Sequence, residues 1–88
     1  MRLNFHSDPG HGWVQTNINQ IKELGIGPKI SKYSYVKGQD VYLEEDCDAQ
    51  ILVDALKTNG HSVEFSDINY DHSCFIRRLT RFNNSVGT

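Results

Sequence analysis

Apolar and polar residues alternate along two similar stretches of the chain, and each reads as a strand, a tight turn, a second strand and a capped helix. In the first stretch Leu3 and Phe5 alternate with Asn4 and His6. The turn Asp8-Pro9-Gly10-His11-Gly12 follows, then Trp13 to Thr16, then a helix over Asn17 to Leu24. Proline fixes φ and glycine accepts unusual φ, so the turn is well specified. Asn17 caps the helix with Gln20 three residues on, Ile18, Ile21 and Leu24 share one side, and Gly25 with Ile26 supplies a Schellman-like stop. In the second stretch Tyr33 to Val36, the turn Lys37-Gly38-Gln39-Asp40 and Val41 to Glu44 make a hairpin. A helix over Cys47 to Asn59 follows, with Ala49, Leu52, Val53 and Leu56 at the spacing of one apolar face. Val63 and Phe65, set among polar neighbours, predict a fifth strand.

The pattern implies an α+β fold in which two ββα units and a fifth strand form one mainly antiparallel sheet with two helices packed on one face. The expected core is Leu3, Phe5, Val14, Ile18, Ile21, Leu24, Tyr35, Val41, Leu43, Leu52, Val53, Leu56, Val63 and Phe65. Phe75 to Phe82 reads as an edge strand or a short helix. Residues 1–88 make a single domain, with 83–88 a frayed tail. The other sheet face and the turns are left for whatever work the protein does.

A net charge of -2 and a pI near 6.0 weigh against a broad cationic surface for nucleic acid. Cys47 and Cys74 lie far apart, neither in a closely spaced Cys or His pair, and read as reduced thiols. No apolar run is long enough for a signal peptide or a bilayer span, so a soluble cytoplasmic protein is the simplest expectation. An exposed edge strand makes the expected state a monomer or a strand-paired homodimer.

The run Ser7-Asp8-Pro9-Gly10-His11-Gly12 resembles the opening of the zinc amidases that cleave bacterial cell walls, over the first dozen residues only. The resemblance implies His11 as a metal ligand. Such a site needs further ligands, for which His61, His72 and Glu64 are available on paper, but no spacing brings them together. The plainer reading is stronger: Asp8 caps the turn and His11 is an exposed tip residue. A metal pair of His6 and His11 across the hairpin gives too few ligands. Neither metal nor cofactor is therefore expected. Cys47 sits near a helix start, where the dipole lowers a thiol pKa, but Glu45, Asp46 and Asp48 oppose the thiolate. Cys74 has His72 nearby without a third group to orient a base. No catalytic residue is assigned.

Two non-catalytic sites remain. Phe75, Arg77, Arg78, Arg81 and Phe82 combine cations with rings and form a candidate nucleic-acid-binding segment. Their plainer role is to pair with the acids of Glu44 to Asp48 or to keep an edge strand soluble. The aromatic surplus, Trp13, Tyr33, Tyr42 and Tyr70, exceeds what a small core holds, so a partner patch of Asp8, His11, Trp13, Tyr33 and Tyr42 is expected on the open face.

Ser7-Asp8-Pro9-Gly10-His11-Gly12-Trp13, Tyr33-Ser34-Tyr35, Val41-Tyr42-Leu43-Glu44-Glu45-Asp46-Cys47-Asp48 and Ala55-Leu56 with Gly60 resemble a family of small accessory proteins encoded by bacteriophages and prophages. The resemblance spans about two-thirds of the chain and weakens after Phe65, where the periodicity weakens too. It implies a viral protein acting in the bacterial host's cytoplasm by binding a host protein, including inhibition of restriction or CRISPR defence. The alternatives are the nucleic-acid module and, third, a small zinc hydrolase.

Overall fold

The computed structural model describes residues 1–83. It is α+β, with two helices against one six-stranded sheet. The first hairpin joins β1 (Arg2–Ser7) to β2 (Gly12–Asn17), and α1 spans Ile18–Leu24. The Asn17 side chain accepts the Gln20 N–H at 2.8 Å, as the capping pattern predicts. Gly25 adopts a left-handed φ of 66°, and the Ile26 N–H reaches back to the Ile21 carbonyl at 3.3 Å, which is the Schellman stop.

The second hairpin joins β3 (Tyr35–Lys37) to β4 (Asp40–Glu44), and α2 covers Ala49–Thr58. This helix starts two residues later than the sequence suggests. Residues 45–48 form a turn instead, because the Asp46 and Cys47 N–H groups both donate to the Glu44 carboxylate at 2.9 Å. From α2 the chain crosses the helix face to β5 (Glu64–Asn69), which pairs parallel to β1. After a single 3-10 turn at Phe75–Arg78 comes β6 (Thr80–Arg81), paired antiparallel with β3. Phe75 to Phe82 is thus both a short helix and an edge strand, and the sheet has a strand more than expected. The strand order is β5-β1-β2-β4-β3-β6, and every pairing except β1 with β5 is antiparallel.

Strand alternation sends Leu3, Val14, Val41 and Leu43 to the helix face, where they pack with Ile18, Ile21, Leu52 and Leu56. Ile26, Ile30 and Phe82 complete this core from loops. Phe65, expected inside, is 43% exposed, because β5 is an edge strand and the ring rests edge-on against Phe5.

The opposite face corrects the expectation of an open sheet. His6, Trp13, Tyr35 and Tyr42 point that way, and the chain beyond β5 folds back over them with Tyr70, Cys74, Phe75, Ile76 and Leu79. Trp13 is 2% exposed and Tyr42 4%, so neither ring is displayed to solvent. A second apolar cluster lies there because aromatic area on that face is too costly to leave wet. Of the tail expected to fray, 83–88, all but Asn83 lies outside the described residues. Among the described residues no helix is long and apolar enough to cross a membrane.

Burial on both faces makes Trp13 a core residue. Trp13→Ala is expected to lower stability by about 3–5 kcal/mol in urea unfolding, and Tyr33→Ala on the surface by less than about 0.5 kcal/mol. Equal midpoints for the two variants would refute the covered second face.

Candidate functional site

The Asp-Pro-Gly-His-Gly turn is built around Asp8. Its Oδ1 accepts the N–H groups of Gly10 at 2.9 Å and His11 at 3.0 Å, the local turn capping that its residue type predicts. The same carboxylate also reaches across the molecule. Oδ2 accepts the Cys74 N–H at 2.9 Å and Arg77 Nε at 2.6 Å, while Arg77 Nη2 donates to Oδ1 at 2.7 Å. The fork of the guanidinium matches the carboxylate edge, a bidentate ion pair. A Cβ on Gly10 would come within 2.6 Å of Arg77 Nη2, so glycine here makes room for the guanidinium. Arg77 therefore holds Asp8, where pairing with the 44–48 acids was expected.

Arg77 then sets one wall of a cleft of about 380 Å³ beside the turn. Its guanidinium carbon lies 5.4 Å from the centre of the Trp13 ring, Trp13 meets Tyr35 edge-on at 6.4 Å, and Arg81 lies 5.3 Å from the Tyr35 ring centre. Two cations thus bracket two rings, each gaining from the ring quadrupole. Tyr33 projects at the rim, 54% exposed. The other wall carries the acids Glu44 and Asp46 with His11 and Cys47 beside them. Glu44 ends β4 with its side chain 9% exposed, and His11 Nδ1 is 3.6 Å from its Oε1.

The Cys47 thiol is pushed up in pKa, first by its hydrogen bond to Glu44, then by desolvation and by the charges of Glu44, Asp48 and Asp46. It is a protonated thiol at neutral pH and a poor nucleophile. Cys74 is fully buried with its backbone tied to Asp8. His6 is saturated: Nε2 lies 2.7 Å from the Gln15 Oε1 acceptor and Nδ1 3.0 Å from the Tyr70 hydroxyl. An amide oxygen only accepts, so Nε2 carries the proton and Nδ1 takes the tyrosine's, which leaves neither nitrogen to pair with His11 on a metal.

Of the expected partner patch, His11 and Tyr33 rim the cleft, Trp13 lines it from within, Asp8 is buried beneath it, and Tyr42 is away under Phe75. The surface patch containing Trp13 and Tyr42 does not form, since both rings are covered. The nucleic-acid segment is divided too. Phe82 is 1% exposed in the helix-side core and Phe75 packs among His6, Tyr42 and Tyr70, so these rings are not offered to bases. Arg77 is held by Asp8, and Arg81 donates to the Lys32 carbonyl at 3.1 Å, while Arg78 is exposed. Glu64 pairs with Arg2, and neither His61 nor His72 joins a metal-competent cluster among the described residues. Tyr35, Glu44 and Asp46 were missed as cleft residues. The signal for Glu44 and Asp46 is the acidic run after β4, which the sequence offers as a partner for the tail arginines and as an opponent of the Cys47 thiolate. Comparison with family models, curated proteins and solved structures finds no match.

The Arg77 guanidinium, above all, holds the Asp8 carboxyl well below the usual carboxylate range; the Cys74, Gly10 and His11 N–H groups act with it, against desolvation. A depressed folded pKa contributes stability above the unfolded value of about 4, and that contribution is lost as pH falls below it. Stability in urea is therefore expected to fall between about pH 5 and pH 2, and less steeply in Asp8→Asn. At pH 7 Asp8→Asn should be destabilised by about 3 kcal/mol, the low end for a broken buried pair, because Arg77 keeps water contact.

Proposed function

We propose that the chain is a binding protein without catalytic activity, of the bacteriophage accessory kind, which engages a bacterial host protein at the cleft beside the Asp-Pro-Gly-His-Gly turn. In that role it acts in the host cytoplasm by occupying a surface that a defence factor, of the restriction or CRISPR type, needs for itself. The observation that carries the reading is the cleft wall: Tyr33 exposed at the rim, with Arg77, Trp13, Tyr35 and Arg81 packed beneath it. Tyrosine, tryptophan and arginine dominate binding energies at protein interfaces, and here their side chains are already ordered, which lowers the entropy lost on binding. The acidic wall opposite gives the site two signs of charge, suited to a protein surface with charges of both signs.

The nucleic-acid alternative draws less from the same geometry. With the Phe75 and Phe82 rings packed and Arg77 committed to Asp8, Arg78 and Arg81 are the cations this segment has left for phosphates, on a chain of net charge -2.

Affinity capture from host lysate, followed by titration of the purified partner, tests the proposal. Tyr33→Ala and Arg81→Ala are expected to weaken the captured complex about tenfold or more each, with unchanged urea midpoints, and Lys57→Ala on α2 to have no effect. Wild-type affinity in both cleft variants would overturn the site. Binding to DNA that falls steeply with salt, with no protein partner, would replace it by the nucleic-acid reading.

A further inference from the structure

The acidic wall of the cleft has a composition that partner binding does not require. A His11 imidazole nitrogen, a Glu44 carboxylate oxygen and an Asp46 carboxylate oxygen all lie within 4.8 Å of one another. These residues come from separate positions: the tip of the first hairpin, the end of β4 and the turn after it. We infer that His11, Glu44 and Asp46 bind a divalent metal ion of the zinc class, with an open coordination position facing the cleft.

Glu44 is the fixed member. Its side chain is nine-tenths buried, and its Oε2 is fully engaged by the Asp46 and Cys47 N–H groups. That grip orients the carboxylate and leaves Oε1 on the side of His11, the kind of outer hydrogen bonding that aims a metal ligand. His11 and Asp46 are the mobile members. Both are exposed, and the Asp46 carboxylate has no hydrogen bond or ion pair among the described residues. Ligands about 2.1 Å from a tetrahedral ion are roughly 3.4 Å apart, so rotation of these two side chains closes the set. Electrostatics favours the closure. Arg77, the guanidinium nearest the turn, is committed to Asp8, and two carboxylates beside an imidazole repel one another until a dication joins them.

The cleft wall beside these ligands also carries an unsatisfied donor. Trp13 forms part of the wall of this same cleft, its ring centre 6.1 Å from that of His11, and its indole Nε1–H is the one buried side-chain polar atom without a partner among the described residues. A buried donor of this kind is costly unless an acceptor reaches it. The donor set selects the ion: one nitrogen and two oxygens suit zinc, while calcium and magnesium prefer oxygen alone. The inference does not depend on any host partner, and metal binding by the isolated chain tests it alone.

Isothermal titration of the purified chain with zinc chloride, paired with imidazole NMR, is the experiment. One zinc per chain is expected, with the His11 ring nitrogens shifted and those of His6, His61 and His72 unmoved. His11→Ala and Asp46→Asn, at exposed positions, should each weaken binding at least about tenfold without moving the urea midpoint of the metal-free chain. Cys47→Ser should retain binding. Absence of binding to the wild type, full affinity in His11→Ala, loss in Cys47→Ser, or equal affinity for calcium or magnesium would each overturn the inference.

Discussion

The carboxylate of Asp8 ties the two ends of this chain together. It accepts two N–H groups from its own turn, the N–H of Cys74 and two donors of Arg77. Five hydrogen bonds on one buried group fix three things at once: the shape of the first turn, the path of the chain after β5, and the direction of the Arg77 side chain. Beside that anchor, the segment from Tyr70 to Leu79 is held by ring packing, the His6–Tyr70 hydrogen bond, a 3-10 turn and the two-residue β6, none of which fixes its direction so closely. With the anchor, the segment lies across the second sheet face and the sheet becomes the middle of the molecule.

The chemistry of such an anchor has two sides. A buried carboxylate costs several kcal/mol in lost hydration, and its partners recover that cost only when their geometry is good. Here they are short, charge-assisted and partly backbone, so the geometry is specific. A domain of this size buries a modest apolar area, and a point attachment of defined direction settles where an irregular segment docks when hydrophobic contact alone would allow it to slide. Aromatic packing of Tyr42, Tyr70 and Phe75 around His6 supplies the area beneath.

Local signals in the sequence carried the elements well. The Asn17 cap, the Gly25 stop, both hairpins, both helices and β5 follow from period, turn chemistry and capping, because each depends on residues close in the chain. What escaped was long-range. Trp13-Val14 and Val41-Tyr42-Leu43 are apolar at successive positions, and strands of that kind are covered on both faces. Treating Trp13 and Tyr42 as surplus surface rings overlooked that signature. The pairing of Asp8 with Arg77, 69 residues apart, left no periodic trace at all. For the same reason the cleft was legible only in part: His11 and Tyr33 stood out as turn and loop residues, whereas Glu44 and Asp46 join them only through the fold.

Asp8 is one of three buried acids used alike. Glu44 holds the N–H groups of Asp46 and Cys47, and Asp48 accepts the Ser31 N–H and the hydroxyls of Ser31 and Ser34. Ser34 Oγ in turn accepts the Glu44 N–H at 3.0 Å, and the Tyr33 N–H donates to Ser31 Oγ at 3.1 Å. The loop that presents Tyr33 is thereby bound to the end of β4 by a closed polar network, in which each hydroxyl both donates and accepts. A ring displayed on so constrained a backbone forfeits little freedom when it is covered, so the network beneath Tyr33 bears on the cleft's affinity without itself touching whatever enters it. The three carboxylates place the wall, the rim and the floor of one site, and this shared placement joins the stability of the fold to the shape of the cleft.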